Sequence, residues 1–299
     1  MGHGQAVKAL DFESGIEGSN PSVPANFEVM IMYNRSAIPY VGNKFSIYKQ
    51  LEKYLPSDIK IFRDIFCGGG VVSINTRAEG YVLTDFCHQL VDLHNAIKDE
   101  TFAKRVLSKS YEYPETKDSY LELRQSYNED KSNEKFINLL YRSFSNQMRF
   151  NTEGEFNIAF GQRNSINFDR LIKQHQFYKD NKVTIINSDF RISLANVNKD
   201  DFVFLDPPYL NSDATYNEVW SEHDEMDLYR LVSNLDCKWM LTNTLYNRGK
   251  YNKFLDDFIE PYNVYPINST FNYEKFRKSE SAKKEIIVTN YDHVENFLI

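Results

Sequence analysis

The chain has 299 residues, of which 41% are hydrophobic and 15% aromatic, enough for one large domain or two small ones with a sizeable core. No apolar stretch approaches the ~20 residues that a membrane-spanning helix needs, and the N-terminus carries no signal-peptide apolar region. A formal charge of −7 argues by itself against a nucleic-acid partner. Three scattered cysteines, Cys67, Cys87 and Cys237, have no metal-ligand spacing and point to a reducing, cytoplasmic setting without disulfides or a metal centre.

Residues 1–29 are rich in Gly, Ser, Pro and Glu and show no apolar period, so they are expected to be a disordered leader or an artificial extension. The pattern then predicts a helix over Lys44–Tyr54 and a strand over Ile61–Phe66 that runs into Cys67-Gly68-Gly69-Gly70. A strand over Tyr81–Thr84 ends at Asp85 and is followed by a helix over His88–Ile97. Further helices are expected over Lys117–Tyr127 and Glu134–Asn146. The stretch from Phe150 to Phe156 reads as a hairpin turning at Glu153-Gly154. Strands follow over Val183–Asn187, Phe202–Leu205 and Trp239–Leu241, with Glu285–Thr289 expected as a late edge strand. Helices over Glu222–Leu235 and Tyr251–Phe258 complete the alternation.

Strands alternating with helices imply an α/β fold, a doubly wound Rossmann-like sheet. About a hundred residues separate the second and third strands, far more than a loop needs. Residues 100–182 are therefore expected to form an inserted, mainly helical subdomain carrying the hairpin, with 30–99 and 183–299 making up the main domain. Between Arg142 and Arg191 eight Arg or Lys stand against five Asp or Glu, a local excess of positive charge in an acidic chain.

The most informative segment is Phe202–Leu210. An apolar run typical of a strand buried on both faces ends in Asp206, Pro207, Pro208 and Tyr209. The prolines cannot continue a ladder, so these residues fall at the carboxyl edge of the sheet, where open α/β folds bind ligands. A carboxylate and a backbone carbonyl there suit the two N–H bonds of an exocyclic amine, and Tyr209 suits stacking on a planar ring. The competing reading is a plain proline turn with Asp206 as a cap. The glycine turn at Phe66–Gly70 permits close backbone approach to a ligand but lacks the G-x-G-x-x-G dinucleotide fingerprint. Asp85 at the tip of the second strand suits a ribose diol, with Phe86 along a base; its alternative role is to cap the helix that follows. Lys44 suits a ligand carboxylate, or is simply solvated in a first helical turn.

With these pieces in order, the chain resembles the Dam family of DNA adenine-N6 methyltransferases in the α arrangement, and within it the short T-even phage proteins. The resemblance rests on Tyr-Val-Gly-Asn-Lys at 40–44, Asp-Ile-Phe-Cys-Gly-Gly-Gly at 64–70, Asp85, Phe-Ser-Asn at 144–146, Met-Arg-Phe-Asn at 148–151, Phe-Gly-Gln-Arg at 160–163, Asp206–Tyr209, and Tyr216 with Trp220-Ser221. It spans about Ser36 to Asn290. It implies S-adenosylmethionine as cofactor, held by Tyr40, Lys44, Phe66, Gly68, Gly69, Asp85, Phe86, Asp189, Phe190 and Tyr216. It implies double-stranded DNA as partner, contacted by Phe144, Ser145, Met148, Arg149, Asn151, Arg163 and Arg124, with the insert as target-recognition subdomain. It implies catalysis by Asp206 to Tyr209 on a flipped adenine at a site such as GATC, by a monomer or by two copies on a palindrome. Gln147 and Ala159 replace the apolar residue and proline usual in relatives, within the recognition segment. Two other readings stay open: the same chemistry on RNA or a protein glutamine, and a DNA-binding regulator that has lost catalysis.

Overall fold

The computed structural model describes residues 33–161, 166–211, 220–268, 273–279 and 283–293. The expected leader, Arg163 and Tyr216 lie outside the described residues.

After Asn43, whose side chain accepts from Phe45 N, the chain makes a 3-10 turn over Lys44–Ile47, one α turn, α1 (Tyr48–Leu51), and a second 3-10 turn over Glu52–Tyr54. The expected continuous helix is thus three short turns. Strands β1 (Ile61–Asp64) and β2 (Gly80–Asp85) and helix α2 (His88–Ile97) follow. The insert supplies α3 (Phe102–Glu112), α4 (Lys117–Asp130), α5 (Asn133–Arg142) and, after the hairpin, α6 (Phe168–Asp180). Then come β3 (Val183–Asn187), α7 (Phe190–Ala195), β4 (Asp201–Leu205), α8 (Glu222–Val232), β5 (Lys238–Asn247), β6 (Lys250–Tyr251), α9 (Lys253–Phe258), β7 (Asn263–Pro266), α10 (Tyr273–Arg277) and β8 (Lys283–Thr289). No described helix is long and apolar enough to cross a membrane.

The sheet order is β3-β2-β1-β4-β5-β8-β7, with β6 paired to β5. The first five strands are parallel, and β8 runs antiparallel to both β5 and β7. β8 is therefore an interior strand, not the expected edge. The edge is β7, whose four residues are uniformly half-buried and give no alternation to read. β5 continues six residues past Leu241, through Thr242, Asn243 and Thr244, which are polar but fully buried; the Thr242 and Asn243 side chains find partners inside.

Side-chain alternation divides the core between the two faces of the sheet. Phe202 and Phe204 of β4, with Phe62, Met240 and Ile287, pack in one layer with α2 and the insert. Val203 and Leu205, with Trp239, Leu241, Ile286 and Val288, pack in the other against α8 and α9. Burial on both faces is why β4 reads as an unbroken apolar run. The order of the strands reverses direction at β1 and β4, so the carboxyl ends of these neighbours open a crevice.

The region expected to form an insert centres on an aromatic plug. Tyr127 of α4 stacks on Phe136 of α5 at 5.2 Å; Phe156 of the hairpin closes edge-on against this pair, and Phe150 meets Phe136 at a tilt. The turn falls at Thr152–Gly154, where Gly154 has φ +76°. α5 stops at Arg142, four residues short of expectation. Ser145 and Asn146 adopt φ +55° and +52°, and the Asn146 amide caps the carbonyls of Leu140 and Tyr141. The pattern of α6 is obscured by a buried polar position, Gln174, on its inner face. It packs through Phe177 on Tyr81 of β2, so a helix within the expected insert lies directly on the sheet.

Leu228 of α8 is fully buried in the second layer and does not line the crevice. Leu228→Ala should cost about 2–5 kcal/mol of stability, measured by chemical denaturation, with ligand binding per folded molecule unchanged.

Candidate active site

The crevice holds a cavity of about 480 Å³. β1 ends in Asp64 and passes through Ile65 and Phe66 to the glycine turn. β2 delivers Asp85 to Phe86, α7 opens at Asp189 and Phe190, and β4 ends in Asp206 to Tyr209; all of these line the cavity. Tyr40 to Lys44 close one side and Met148 of the insert reaches the rim.

The glycine turn is shaped by close contact. Gly68, at φ +49°, lies so near the Tyr40 ring that a Cβ would meet Cδ1 at 2.8 Å, and a Cβ on Gly69 would meet the Ile38 carbonyl at 2.7 Å. The Gly68 carbonyl accepts from His94 Nε2 at 2.7 Å. A carbonyl only accepts, which assigns the ring proton to Nε2 and leaves Nδ1 to accept from Tyr178 OH at 2.6 Å. Burial pushes the His94 pKa down to about 4, so the ring is neutral at ordinary pH.

Asp85 accepts from Gly68 N and Cys87 N, each at 2.9 Å, and so joins the turns after β1 and β2. It does not cap α2, whose N-cap is Cys87. Burial raises the Asp85 pKa, against the pull of those backbone bonds. Asp189 does cap α7, accepting from Arg191 N at 2.8 Å, and Arg191 also pairs with Asp224 and Asp227. Phe66 and Phe190 meet Trp220 edge-on or tilted at 5.7 and 5.4 Å, making an aromatic wall, while Phe86 stands 73% exposed at the entrance.

Asp206 has three side-chain partners, Lys44, Thr242 and Tyr209. Lys44, only 5% exposed, lies 2.6 Å from Oδ1 and 2.7 Å from Oδ2 and also donates to the Gly42 carbonyl at 3.0 Å. Thr242 of β5 donates to Oδ1 at 2.8 Å. The Tyr209 hydroxyl lies 3.2 Å from the same oxygen and 3.0 Å from Glu285 Oε1 of β8. Burial raises the Asp206 pKa and the Lys44 ammonium opposes it. Lys44 is therefore not solvated; in this structure its side chain pairs with Asp206.

The structure brings Tyr40, Lys44, Phe66, Gly68, Gly69, Asp85, Phe86, Asp189, Phe190, Met148 and Asp206 to Tyr209 to one cavity. The remaining described candidates sit outside it. Phe144, 57% exposed, and Ser145 lie at the end of α5, held by Phe144 N bonding to the Ala159 carbonyl. Arg149 is exposed and donates to Asn157. Asn151 accepts from Glu153 N and Glu155 N, shaping the turn, and Arg124 props the Ile158 carbonyl. Four residues at the site receive no role from the sequence, although two of them, Asp64 and Trp220, lie in its motifs. Asp64, two residues before Phe66, and Trp220, before the Ser221–Asp224 capping box of α8, had local signals. Thr242 and Glu285 had none, because only strand order brings them to Asp206 and Tyr209.

Asp64 is 2% exposed and accepts from Ser73 Oγ at 2.6 Å. Burial, with Asp206 and Asp85 nearby, raises its pKa from 3.8 to about 7. The folded state thus holds the Asp64 proton more tightly than the unfolded state. Its contribution to stability is full below about pH 4 and is lost as pH rises through about 7. Asp64→Asn should flatten the fall in stability between pH 5 and pH 8, measured by urea denaturation at both; an unaltered slope would contradict this assignment.

Residues 40–293 match the family described as D12 class N6 adenine-specific DNA methyltransferase. The chain is 27% identical over 288 residues to modification methylase StsI of Streptococcus sanguinis, covering 87% of this chain and 43% of that protein. It is 26% identical over 299 residues to type II methyltransferase M.FokI of Planomicrobium okeanokoites, covering 91% and 45%. The chain thus spans less than half the length of these two relatives. A DNA adenine methylase of Vibrio cholerae is 28% identical over 189 residues, covering 61% of this chain and 68% of that one. The family match begins at Tyr40, beside the glycine turn, and ends beyond β8, so it takes in the whole cavity, and the chain belongs to the D12 class of N6 adenine-specific DNA methyltransferases.

Proposed function

We propose that the protein transfers a methyl group from S-adenosylmethionine to adenine N6 in double-stranded DNA, with GATC as the target. The observation that carries this reading is the convergence on one cavity of the Asp206–Tyr209 segment, the glycine turn with Asp85, and Met148 of the insert. The main domain is residues 30–99 and 183–299, and the insert at 100–182 reads the DNA. The cell compartment follows from the substrate: the cytoplasm of a bacterium or of a phage-infected host.

The residues present fit this cofactor. Asp64, Asp85 and Asp206 surround the cavity, and the carboxyl of Asp64 is buried beside a single hydroxyl donor, an arrangement that favours a cationic ligand. S-adenosylmethionine, when bound, supplies a transferable methyl group on a positively charged sulfur. Asp85 suits the ribose diol, Phe66, Phe190 and Trp220 offer aromatic surface to the adenine, and Asp64 suits the ammonium end.

The target adenine is read as leaving the duplex for the mouth of the cavity, with exposed Phe144 filling the gap left in the stack. Asp206 and the Pro207 carbonyl accept the two amine hydrogens, which draws the nitrogen toward tetrahedral geometry and frees its lone pair. Tyr209 and Pro208 form the face against which the base rests. Positioning supplies most of the rate, and no protein nucleophile is required. Arg149, exposed beside the hairpin, suits a bidentate bond to guanine O6 and N7.

Labelled S-adenosylmethionine with two matched duplexes, one containing GATC and one with that site scrambled, tests the reading. N6-methyladenine in the GATC duplex alone is the expected result. Label in both would discard the target and keep the chemistry; label in neither would discard the reaction. Asp206→Ala should abolish transfer and leave cofactor binding within a few-fold, and retained turnover would remove Asp206 from its role. Arg149→Ala should lose about 1–3 kcal/mol of discrimination between target and near-target sites, seen as relaxed specificity in a competition assay.

A further inference from the structure

Tyr209 carries one hydroxyl proton and faces two carboxylates, Asp206 Oδ1 at 3.2 Å and Glu285 Oε1 at 3.0 Å. The demand on Asp206 is already high. Its Oδ1 meets Lys44 Nζ at 2.6 Å and Thr242 Oγ1 at 2.8 Å, and Lys44 also reaches Oδ2 at 2.7 Å. A carboxylate offers about four lone-pair positions, two on each oxygen. The Lys44 hydrogen bond goes to Oδ2, so Thr242 and Tyr209 fill the two positions on Oδ1 and leave none for an incoming N–H donor. One of these two has to give way, and Tyr209 makes the longer contact and has a second acceptor at hand.

Glu285 is built to be that acceptor. It lies on β8, opposite Thr244 of β5, so the interior antiparallel strand brings it to the end of β4. Its side chain is 15% exposed, and its second oxygen accepts from Lys283 Nζ at 3.0 Å. Lys283 and Lys44 also lie over the Tyr209 ring, at 5.9 and 5.0 Å from its centre.

We propose that Glu285 is a positioning residue for methyl transfer: it takes the Tyr209 hydroxyl proton as a hydrogen bond, which holds the ring in place as the wall of the base pocket and leaves Asp206 Oδ1 free to accept from the target amine. This rests on the proposed adenine chemistry and adds to it a residue with no place in the Asp-Pro-Pro-Tyr segment. Without Glu285, Tyr209 keeps its proton on Asp206 and competes with the substrate for the same lone pair. Gln in its place still offers an acceptor oxygen and keeps the arrangement.

The test uses the full chain, tritiated S-adenosylmethionine and genomic DNA lacking adenine methylation, which contains every short target. Glu285→Ala should lower kcat roughly tenfold, the scale of one competing hydrogen bond, with KM for the methyl donor unchanged. Glu285→Gln should restore kcat to near the wild-type value. In a Tyr209→Phe background, which has no hydroxyl proton to redirect, Glu285→Ala should have no further effect. The proposal is overturned if Glu285→Ala leaves kcat unchanged, if kcat and donor KM deteriorate together, if Glu285→Gln is as slow as Glu285→Ala, or if the Ala effect persists in the Tyr209→Phe background. If Glu285→Ala alone does not fold, the Gln variant and the Tyr209→Phe background still decide between these outcomes. Wild-type protein that transfers no label overturns the underlying reaction and this role with it, a result distinct from an active wild type with an indifferent variant.

Discussion

The Lys44–Asp206 ion pair joins parts of the chain 162 residues apart, and much of the site is arranged around it. Two charges withdrawn from water cost several kcal/mol each unless geometry and further hydrogen bonds compensate. Here the compensation is supplied from three directions: Gly42 accepts from the ammonium, Thr242 donates to the carboxylate, and the Tyr209 hydroxyl lies 3.2 Å from it. Removing either charge alone leaves the other buried and unpaired. The pair therefore ties the N-terminal turn, the end of β4 and the polar stretch of β5 to one another, and the turn that carries Lys44 also carries Tyr40 against the glycines.

The electrostatics of the molecule are divided by scale. The chain as a whole has a charge of −7, which repels a polyanion at long range. The cavity is more acidic still at short range, with Asp64, Asp85, Asp189, Asp206 and Asp224 on its wall against Lys44 and Arg191. An acidic pocket suits a small cation, while the exposed Arg149 and the apolar Phe144 lie outside it on the insert. The two proposed ligands of opposite charge thus meet separate surfaces that adjoin at Met148. Screening at physiological salt limits the reach of surface charge to about 8 Å, so the net charge has little influence on what the hairpin face can contact.

What is legible in the sequence and what is not follows from how local each signal is. β4 can be read because burial on both faces leaves an unbroken apolar run and two prolines mark its end. The glycine turn and Asp85 can be read because a ligand-approaching turn and a strand-tip acid are short-range features. β7 and the true length of β5 cannot, since Asn263–Pro266 is half-buried throughout and Thr242–Thr244 is polar yet wholly interior. The end of α5 is misplaced because Ser145 and Asn146 take left-handed conformations that Asn tolerates but a continuing helix does not show. Asp64 lies in plain view beside the glycine turn, but its importance is a matter of burial, which no local pattern reports. Glu285 and Thr242 are beyond reach, because their partners are set by the order of strands across the sheet.

The construction of the insert separates anchoring from display. Phe150 and Phe156 are set into the helices through Tyr127 and Phe136, while Thr152, Glu153, Gly154 and Glu155 between them are exposed and are shaped chiefly by Asn151. Side chains at Thr152, Glu153 and Glu155 can change without any repacking of the plug, while the φ of +76° at Gly154 favours glycine there. A hairpin of this kind works as an interchangeable head on a fixed mount: its tip can be exchanged by a handful of substitutions, at little thermodynamic penalty and without disturbing the machinery at the end of β4.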